Sequence, residues 1–257
     1  KFFDIGVAGP IAGFVIAFGV LFYGFQNLPE ADYIYQIHPE YLDPGYSADQ
    51  ERTFDLELGY NLLFYGMEKL LADPEKMPNM MEVIHFPYLF AGYLALFFTA
   101  LNLLPIGQLD GGHVVYGLFP KHHKRISLGF YIAFLFFAGL GMVNPYQETG
   151  YLLIALPLYI GFIFICFRKS SLALQTKWTI TFSIVAIQYI ILYYFPRLEG
   201  YEGWLLFAFI LGRVIGIEHP AAKDGRPINL PRKILAWLAI IIFILCFTPQ
   251  PFQLSEV

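Results

Sequence analysis

Charged residues are scarce in this sequence. They make up 14% of its 257 residues, against about a quarter in an ordinary soluble domain. Apolar residues make up 57%, and the mean hydropathy is +0.56. No glycine-rich phosphate loop, internal repeat or basic patch interleaved with aromatic residues is present. We therefore expect neither a nucleotide-binding loop nor a nucleic-acid partner.

Cysteine is also rare, which limits the possible cross-links and metal sites. The two cysteines, Cys166 and Cys246, lie inside apolar runs and have no neighbouring Cys or His in the sequence. This pattern is typical of small buried or lipid-facing side chains, and it argues against a disulfide framework or a cysteine-based zinc site.

Long apolar runs are abundant, and several approach the roughly 20 residues that span a bilayer as a helix. Strands in isolation would leave backbone groups unpaired in lipid, so helices are expected. The sequence predicts an all-α polytopic membrane protein with about six to seven transmembrane helices, forming one membrane domain over residues 1–257. We expect it in a bacterial inner membrane or an organelle membrane. The candidate spans are Ile5–Phe25, Phe86–Leu104, Ser127–Val143, Tyr151–Phe167, Thr179–Phe195, Trp204–Ile217 and Ile234–Phe247.

The charges of the loops predict an orientation. Basic residues cluster in 121–125, in 168–177 and in 223–233, whereas 144–150 and 196–203 hold only one basic residue between them. This alternation matches the positive-inside pattern and places the basic loops in the cytoplasm or its equivalent.

Residues 26–85 form an acidic segment between the first two candidate spans. The segment holds twelve Asp or Glu residues and three Lys or Arg residues, a formal charge of −9. We expect it on the side opposite the basic loops, either as a cap on the bilayer surface or as a lid that screens substrates. Within it, Leu58–Ala72 has the spacing of a short amphipathic helix. The predicted apolar face comprises Leu58, Leu62, Leu63, Met67, Leu70 and Leu71.

The regular pattern is interrupted between Phe86 and Pro120. These 35 residues carry one formal charge, that of Asp110. As a straight helix they would be about 52 Å long, too long for one span of a hydrocarbon core of about 30 Å, and two spans need about 40 residues. Pro105 and Gly107 lie in the middle. The sequence therefore predicts one broken helix, and non-helical backbone at that depth must be buried in protein or line water.

Asp110 is the leading candidate for function on this segment. A carboxylate near the bilayer centre costs about 2.5–3.5 kcal/mol on insertion scales, and such residues commonly have a functional role. The alternatives are an Asp that caps a following helix or one that lies at the membrane interface. Asn102, Gln108 and His113 would add polar groups to the same cavity, with His113 as a hydrogen-bonding neighbour of Asp110.

The residues Asn102–Gly111 (NLLPIGQLDG) resemble the Asn-x-x-Pro-x-x-x-Leu-Asp-Gly motif of the site-2 protease family of intramembrane zinc metalloproteases. Gly9–Gly13 (GPIAG) resembles a glycine-containing segment that follows the first zinc motif in that family. Glu218–Pro220 (EHP) resembles a late segment of one bacterial and plastid-like branch. The resemblance covers nearly the whole chain.

The resemblance implies a zinc-dependent endopeptidase that cleaves transmembrane proteins or peptides within or beside the lipid bilayer. In the family, two histidines of a His-Glu-x-x-His helix and the Asp of the Leu-Asp-Gly motif hold Zn²⁺. Asp110 matches the metal ligand, and Asn102 matches the residue that orients substrate or stabilises the oxyanion. Gly111 and Gly112 would let the backbone pass close to the metal. Gln108 and His113 would support Asp110 or line the cavity.

The sequence departs from the family in having no His-Glu-x-x-His. Among its six histidines only His122 and His123 lie close together in the sequence. Because the chain begins at Lys1, we interpret it as part of a longer protein whose first zinc motif lies upstream, and we expect this part alone to be inactive. The alternatives are a catalytically inactive membrane scaffold that binds transmembrane helices, and a transporter-like helix bundle in which Asp110 and Arg213 line a polar path.

Overall fold

The computed structural model describes residues 2–43, 55–218 and 228–255. Within them the chain is mainly helical. The α-helices are α1 (Phe2–Gln26), α2 (Tyr33–Ile37), α3 (Leu62–Leu71), α4 (Pro87–Asn102), α5 (Asp110–Leu118), α6 (His123–Ala138), α7 (Thr149–Cys166), α8 (Leu174–Tyr194), α9 (Gly203–Phe209) and α10 (Leu230–Cys246). Short 3₁₀ helices cover Pro39–Leu42 and Glu82–His85, and a π-helical segment, Ile210–Ile215, continues α9.

Each of the seven candidate spans falls on a helix of the structure. Two helices, Phe3–Gln26 and Thr149–Cys166, are long and apolar enough to cross a membrane, and the shorter helices Pro87–Asn102 and Gly203–Ile215 are apolar along their length. A helical membrane protein agrees with these lengths and compositions. The number of crossings, six to seven, stays a prediction.

The chain divides into two compact units. The sheet unit comprises Val7–Leu103 and Trp237–Val257, and the Asp110 unit comprises Lys1–Gly6 and Leu104–Ala236.

The all-α prediction was wrong in one respect, because the sheet unit contains two strands, β1 (Asp55–Leu58) and β2 (Phe252–Ser255). They pair antiparallel, with Leu58 opposite Phe252. The backbone here is tightly packed: the Gly59 N–H donates to the carbonyl of Pro251 at 3.1 Å. The phenol of Tyr93 on α4 donates to that carbonyl at 2.7 Å. Both strands are only four residues long and lie nearly 200 residues apart in the sequence, so the local sequence of one strand does not indicate that it pairs with the other.

The predicted amphipathic helix exists as α3, but its buried face differs from the prediction. The side chain of Asn61 caps its first turn by accepting a hydrogen bond from the Phe64 N–H at 2.9 Å. Phe64 and Met67 are buried, whereas Leu62 and Leu70 are exposed. Aromatic contacts determine this orientation, because the Phe64 ring lies 5.2 Å from the ring of Phe25 and 5.9 Å from that of Tyr93.

The core of the Asp110 unit combines apolar packing with buried hydrogen bonds between helices. Tyr131 on α6 is fully buried and donates to the carbonyl of Ala208 on α9 at 2.7 Å. The rings of Phe134 and Trp204 lie 5.3 Å apart on the same two helices. This packing holds α6 and α9 together within the unit that carries the Leu-Asp-Gly sequence.

Candidate functional site

The Asn-to-Gly motif lies across an interruption between two helices. Helix α4 ends at Asn102, and α5 begins at Asp110. The seven residues between them are non-helical, and within them Ile106 N–H donates to the carbonyl of Leu104 at 2.7 Å and Leu109 N–H to that of Ile106 at 3.2 Å. The structure therefore interrupts the helix where the sequence predicts it.

Two residues account for the interruption. Pro105 has no backbone N–H and disfavours helical backbone at the residue before it. Gly107 has a φ of +55°, in the left-handed region where residues with a β-carbon are strained. A β-carbon at Gly107 would also overlap the carbonyl oxygen of Gly216, so the loop passes close to other backbone of the Asp110 unit.

Asp110 is the first residue of α5 and is half-buried. A carboxylate in the first turn of a helix interacts favourably with the helix dipole. His113 follows one turn later and is also half-buried. Its side chain packs against Gly6 in the first part of α1, where an added β-carbon would lie 2.9 Å from His113 Cβ. Because Asp110 and His113 are three residues apart within α5, they lie on one face of the helix, as the sequence predicts.

The other predicted site residues differ in exposure. Asn102 and Gln108 are exposed, whereas Gly111 and Gly112 are buried. Gly112 lies against the carbonyl of Gly107, so its small size serves a close approach between α5 and the preceding loop. The roles expected of these four residues toward substrate and metal stay predictions.

Segment Gly9–Gly13, the second point of resemblance, lies inside α1 and includes Pro10. An added β-carbon at Gly13 would lie 3.3 Å from the hydroxyl oxygen of Thr99 on α4. A small residue at this position therefore allows α1 and α4 to approach closely within the sheet unit.

Glu218, the first residue of the Glu218–Pro220 segment, binds the backbone of a neighbouring turn. Its carboxylate accepts a hydrogen bond from the Ser171 N–H at 2.6 Å. Partial burial acts to raise the pKa of this carboxyl, but that hydrogen bond and the charges of Lys124 and Lys177 outweigh the burial and hold the pKa below its ordinary value. The rest of the segment lies outside the described residues.

The donor atoms around Asp110 do not suffice for a catalytic zinc ion by themselves. Such an ion usually has three protein ligands and one open position. In the described part of the chain, Asp110 belongs to no group of three His, Cys, Asp or Glu side chains placed to share an ion. The described residues thus supply one carboxylate at this position, and no catalytic step through a metal follows from them alone.

The structure also brings together three side chains that the sequence pattern did not connect. His38, Glu82 and His85 of the acidic segment have potential ligand atoms within 4.8 Å of one another. The spacing of Glu82 and His85 on one helical turn is visible in the sequence, but His38 is more than 40 residues away. Only the folded structure shows that His38 lies beside the other two residues.

Comparison with known proteins identifies the family. No solved structure is significantly similar to the chain. The protein "Probable zinc metalloprotease EGY1, chloroplastic" of Oryza sativa subsp. japonica is 28% identical over 142 residues, which cover 55% of this chain and 22% of that protein. "Probable zinc metalloprotease EGY2, chloroplastic" of Oryza sativa subsp. indica is 26% identical over 162 residues, which cover 56% of this chain and 26% of that protein.

The chain spans about a quarter of the length of these relatives. The family model of Peptidase family M50 matches residues 1–143, more than half of the chain, and includes both the Gly9–Gly13 segment and the Asn102–Gly111 motif. The relatives are named zinc metalloproteases and the family is zinc-dependent, which confirms the expected metal at the level of the family. The chain therefore belongs to Peptidase family M50, the site-2 protease family.

Proposed function

We propose that this chain is part of an intramembrane zinc metalloprotease that cleaves transmembrane proteins or peptides within or beside the bilayer. In this proposal Asp110 is one metal ligand, and two histidines of a His-Glu-x-x-His helix are supplied by a part of the protein outside residues 1–257. The observation that carries the proposal is the position of Asp110 as the first residue of α5, directly after the loop of the Asn102–Gly111 motif.

The surroundings of Asp110 suit a ligand carboxylate. The side chain is half-buried, and its oxygens accept no hydrogen bond from another described residue. It is the one formal charge between Phe86 and Pro120. A carboxylate that is partly desolvated and accepts no hydrogen bond is costly unless a metal or another positive group is bound. Zinc, when bound, would polarise the scissile carbonyl and activate water.

Asn102 is proposed to act on the substrate. It ends α4, eight residues before Asp110, and its amide is exposed. An amide that is not needed for packing remains available to donate a hydrogen bond to a substrate carbonyl. We therefore expect Asn102→Ala to lower the turnover of a membrane substrate while zinc stays bound, which separates its role from that of Asp110.

The test uses the protein together with its His-Glu-x-x-His region, purified in detergent. Asp110→Asn should weaken the binding of the zinc ion required for cleavage, and lower the cleavage of a transmembrane substrate, by about 100-fold or more, because residues that only support a ligand already cost 10–100-fold. Asp32→Asn is the matched control, since it removes the same charge from an exposed residue at the start of α2. Full zinc content and activity in Asp110→Asn would refute the assignment. Zinc binding without any cleavage by the unmodified protein would favour the inactive scaffold.

A further inference from the structure

The acidic segment contains a group of two imidazoles and one carboxylate that the proposed protease site does not use. His38 precedes the 3₁₀ helix Pro39–Leu42, and Glu82 and His85 begin and end the 3₁₀ helix Glu82–His85. All three belong to the sheet unit. Glu82 is buried, and both histidines are half-buried.

The distances within the group are close to those of ligands sharing one ion. His38 Nε2 lies 3.9 Å from Glu82 Oε2, and His85 Nδ1 lies 2.9 Å from the same oxygen. Ligand atoms of a tetrahedral zinc ion, with bonds near 2.0–2.2 Å, are about 3.4 Å apart. Adjustments of about half an ångström in each pair would therefore produce this geometry.

One atom of the group has no partner although it is buried. His38 Nε2 has almost no contact with solvent and makes no hydrogen bond. A buried polar atom without a partner is costly, so a bound ion or water would stabilise this position. The 3.9 Å gap between this atom and Glu82 is too long for a hydrogen bond but suits two ligands of one ion.

Neighbouring side chains orient the group in the way metal sites commonly do. His38 Nδ1 lies 2.8 Å from the carboxylate of Glu40, which favours a proton on Nδ1 and leaves the lone pair on Nε2. The phenol of Tyr41 donates to Glu82 Oε1 at 2.6 Å, which leaves Oε2 toward the two histidines. The ring of Tyr41 also stacks on His38, with ring centroids 4.9 Å apart.

We propose that His38, Glu82 and His85 bind a divalent metal ion of the zinc class, through His38 Nε2, a Glu82 carboxylate oxygen and His85 Nδ1, with water as the fourth ligand. Two imidazoles and a carboxylate suit zinc and neighbouring transition metals and are a poor set for Ca²⁺ or Mg²⁺. The ion would join residue 38 to the turn directly before α4, the helix that ends at Asn102. The site is separate from Asp110 and does not depend on the proposed protease function.

The experiment titrates Zn²⁺ into the metal-stripped 257-residue chain in detergent, in competition with a chromophoric chelator. We expect one tight site in the unmodified chain, and a dissociation constant raised about 100-fold or more in His38→Ala and in His85→Ala. Exposed His122, outside the group, provides the matched control His122→Ala, which should bind as the unmodified chain does. Glu82→Gln retains the side-chain shape, so it tests the ligand set even if an alanine variant fails to fold.

X-ray absorption of the zinc-loaded chain gives an independent readout, because the proposed site predicts two imidazole nitrogens and otherwise oxygen ligands. Several results would overturn the proposal. One is the absence of tight zinc binding in the unmodified chain, and another is equal zinc affinity in His38→Ala, Glu82→Gln and the control His122→Ala. A third is zinc that is lost on Asp110→Asn but retained when His38, Glu82 or His85 is replaced. The last result would assign the ion to the proposed protease site instead.

Discussion

Gly112 in α5 lies directly against the carbonyl oxygen of Gly107, so that a β-carbon at residue 112 would overlap this oxygen. The same loop has its left-handed turn at Gly107. The position of α5, and with it that of Asp110, therefore depends on a close contact that leaves no room for a methyl group at residue 112.

Gly112→Ala should destabilise the protein by about 1–3 kcal/mol, because the obstacle is backbone and α5 or the loop must shift. Gly129→Ala is the matched control in the same unit: Gly129 is exposed on α6 and has no atom near the position of an added β-carbon. That variant should be stabilised by about 0.5–1 kcal/mol, as expected for Gly to Ala within a helix. Thermal unfolding of both variants in detergent measures the difference. Equal midpoints would contradict the close approach at residue 112.

Gln188 on α8 is buried and joins three helices of the Asp110 unit. Its amide oxygen accepts a hydrogen bond from the Tyr159 phenol of α7 at 3.0 Å, and its amide nitrogen donates to the Phe136 carbonyl of α6 at 2.7 Å. Gln188→Leu should cost about 1–2 kcal/mol, because it leaves the phenol and the carbonyl without this partner. Gln175→Leu, at an exposed position of α8, makes the same change without such contacts. Unfolding in increasing denaturant should separate the two variants, and equal stabilities would show that the network is not formed.

Tyr60, between β1 and α3, gives a prediction for alkaline pH. Partial desolvation of the phenol and the nearby Glu68 carboxylate raise its pKa from 10.0 to about 12, although 43% of the side chain is exposed. The folded protein therefore keeps a proton that the unfolded chain loses between these values, and the resulting stability is complete below pH 10 and is lost as the pH rises toward about 12.

The measurement compares the midpoint of thermal unfolding of Tyr60→Phe with that of Tyr35→Phe, which removes a phenol of similar exposure in the same unit. Tyr60→Phe lacks the group that titrates late. Its midpoint should therefore rise relative to that of Tyr35→Phe as the pH increases from about 9 to about 11. A difference that stays constant over this range would show that Tyr60 is not perturbed by the fold.

The sequence predicts the long helices because their signal is local. Seven apolar runs correspond to seven helices, and the Pro105 and Gly107 sequence indicates the interruption before Asp110. The pairing of β1 with β2 depends on residues nearly 200 positions apart, so no local pattern reveals it. The buried face of α3 likewise depends on contacts with Phe25 and Tyr93, which hydrophobic spacing does not specify.

The candidate protease site was predictable from the sequence as a motif but not as a complete ligand set. Asp110 is recognisable because a single charge in a long apolar stretch next to Pro and Gly residues is unusual. The group of His38, Glu82 and His85 could not be found in this way, because its members are joined by folding of the acidic segment. Local spacing connects Glu82 with His85, and only the structure adds His38.

Helix α7 allows a direct test of the predicted orientation, because it is long and apolar enough to cross a membrane. Glu148 precedes it and Ser171 follows it, and both residues are exposed. The native cysteines, Cys166 and Cys246, are fully buried and should not react. Basic residues cluster beside Ser171, so the positive-inside rule places that end in the cytoplasm.

A membrane-impermeant maleimide added from outside should label Glu148→Cys, and should label Ser171→Cys only after the membrane is permeabilised. Labelling of both variants in sealed membranes would contradict a crossing by α7, and the reverse pattern would contradict the orientation.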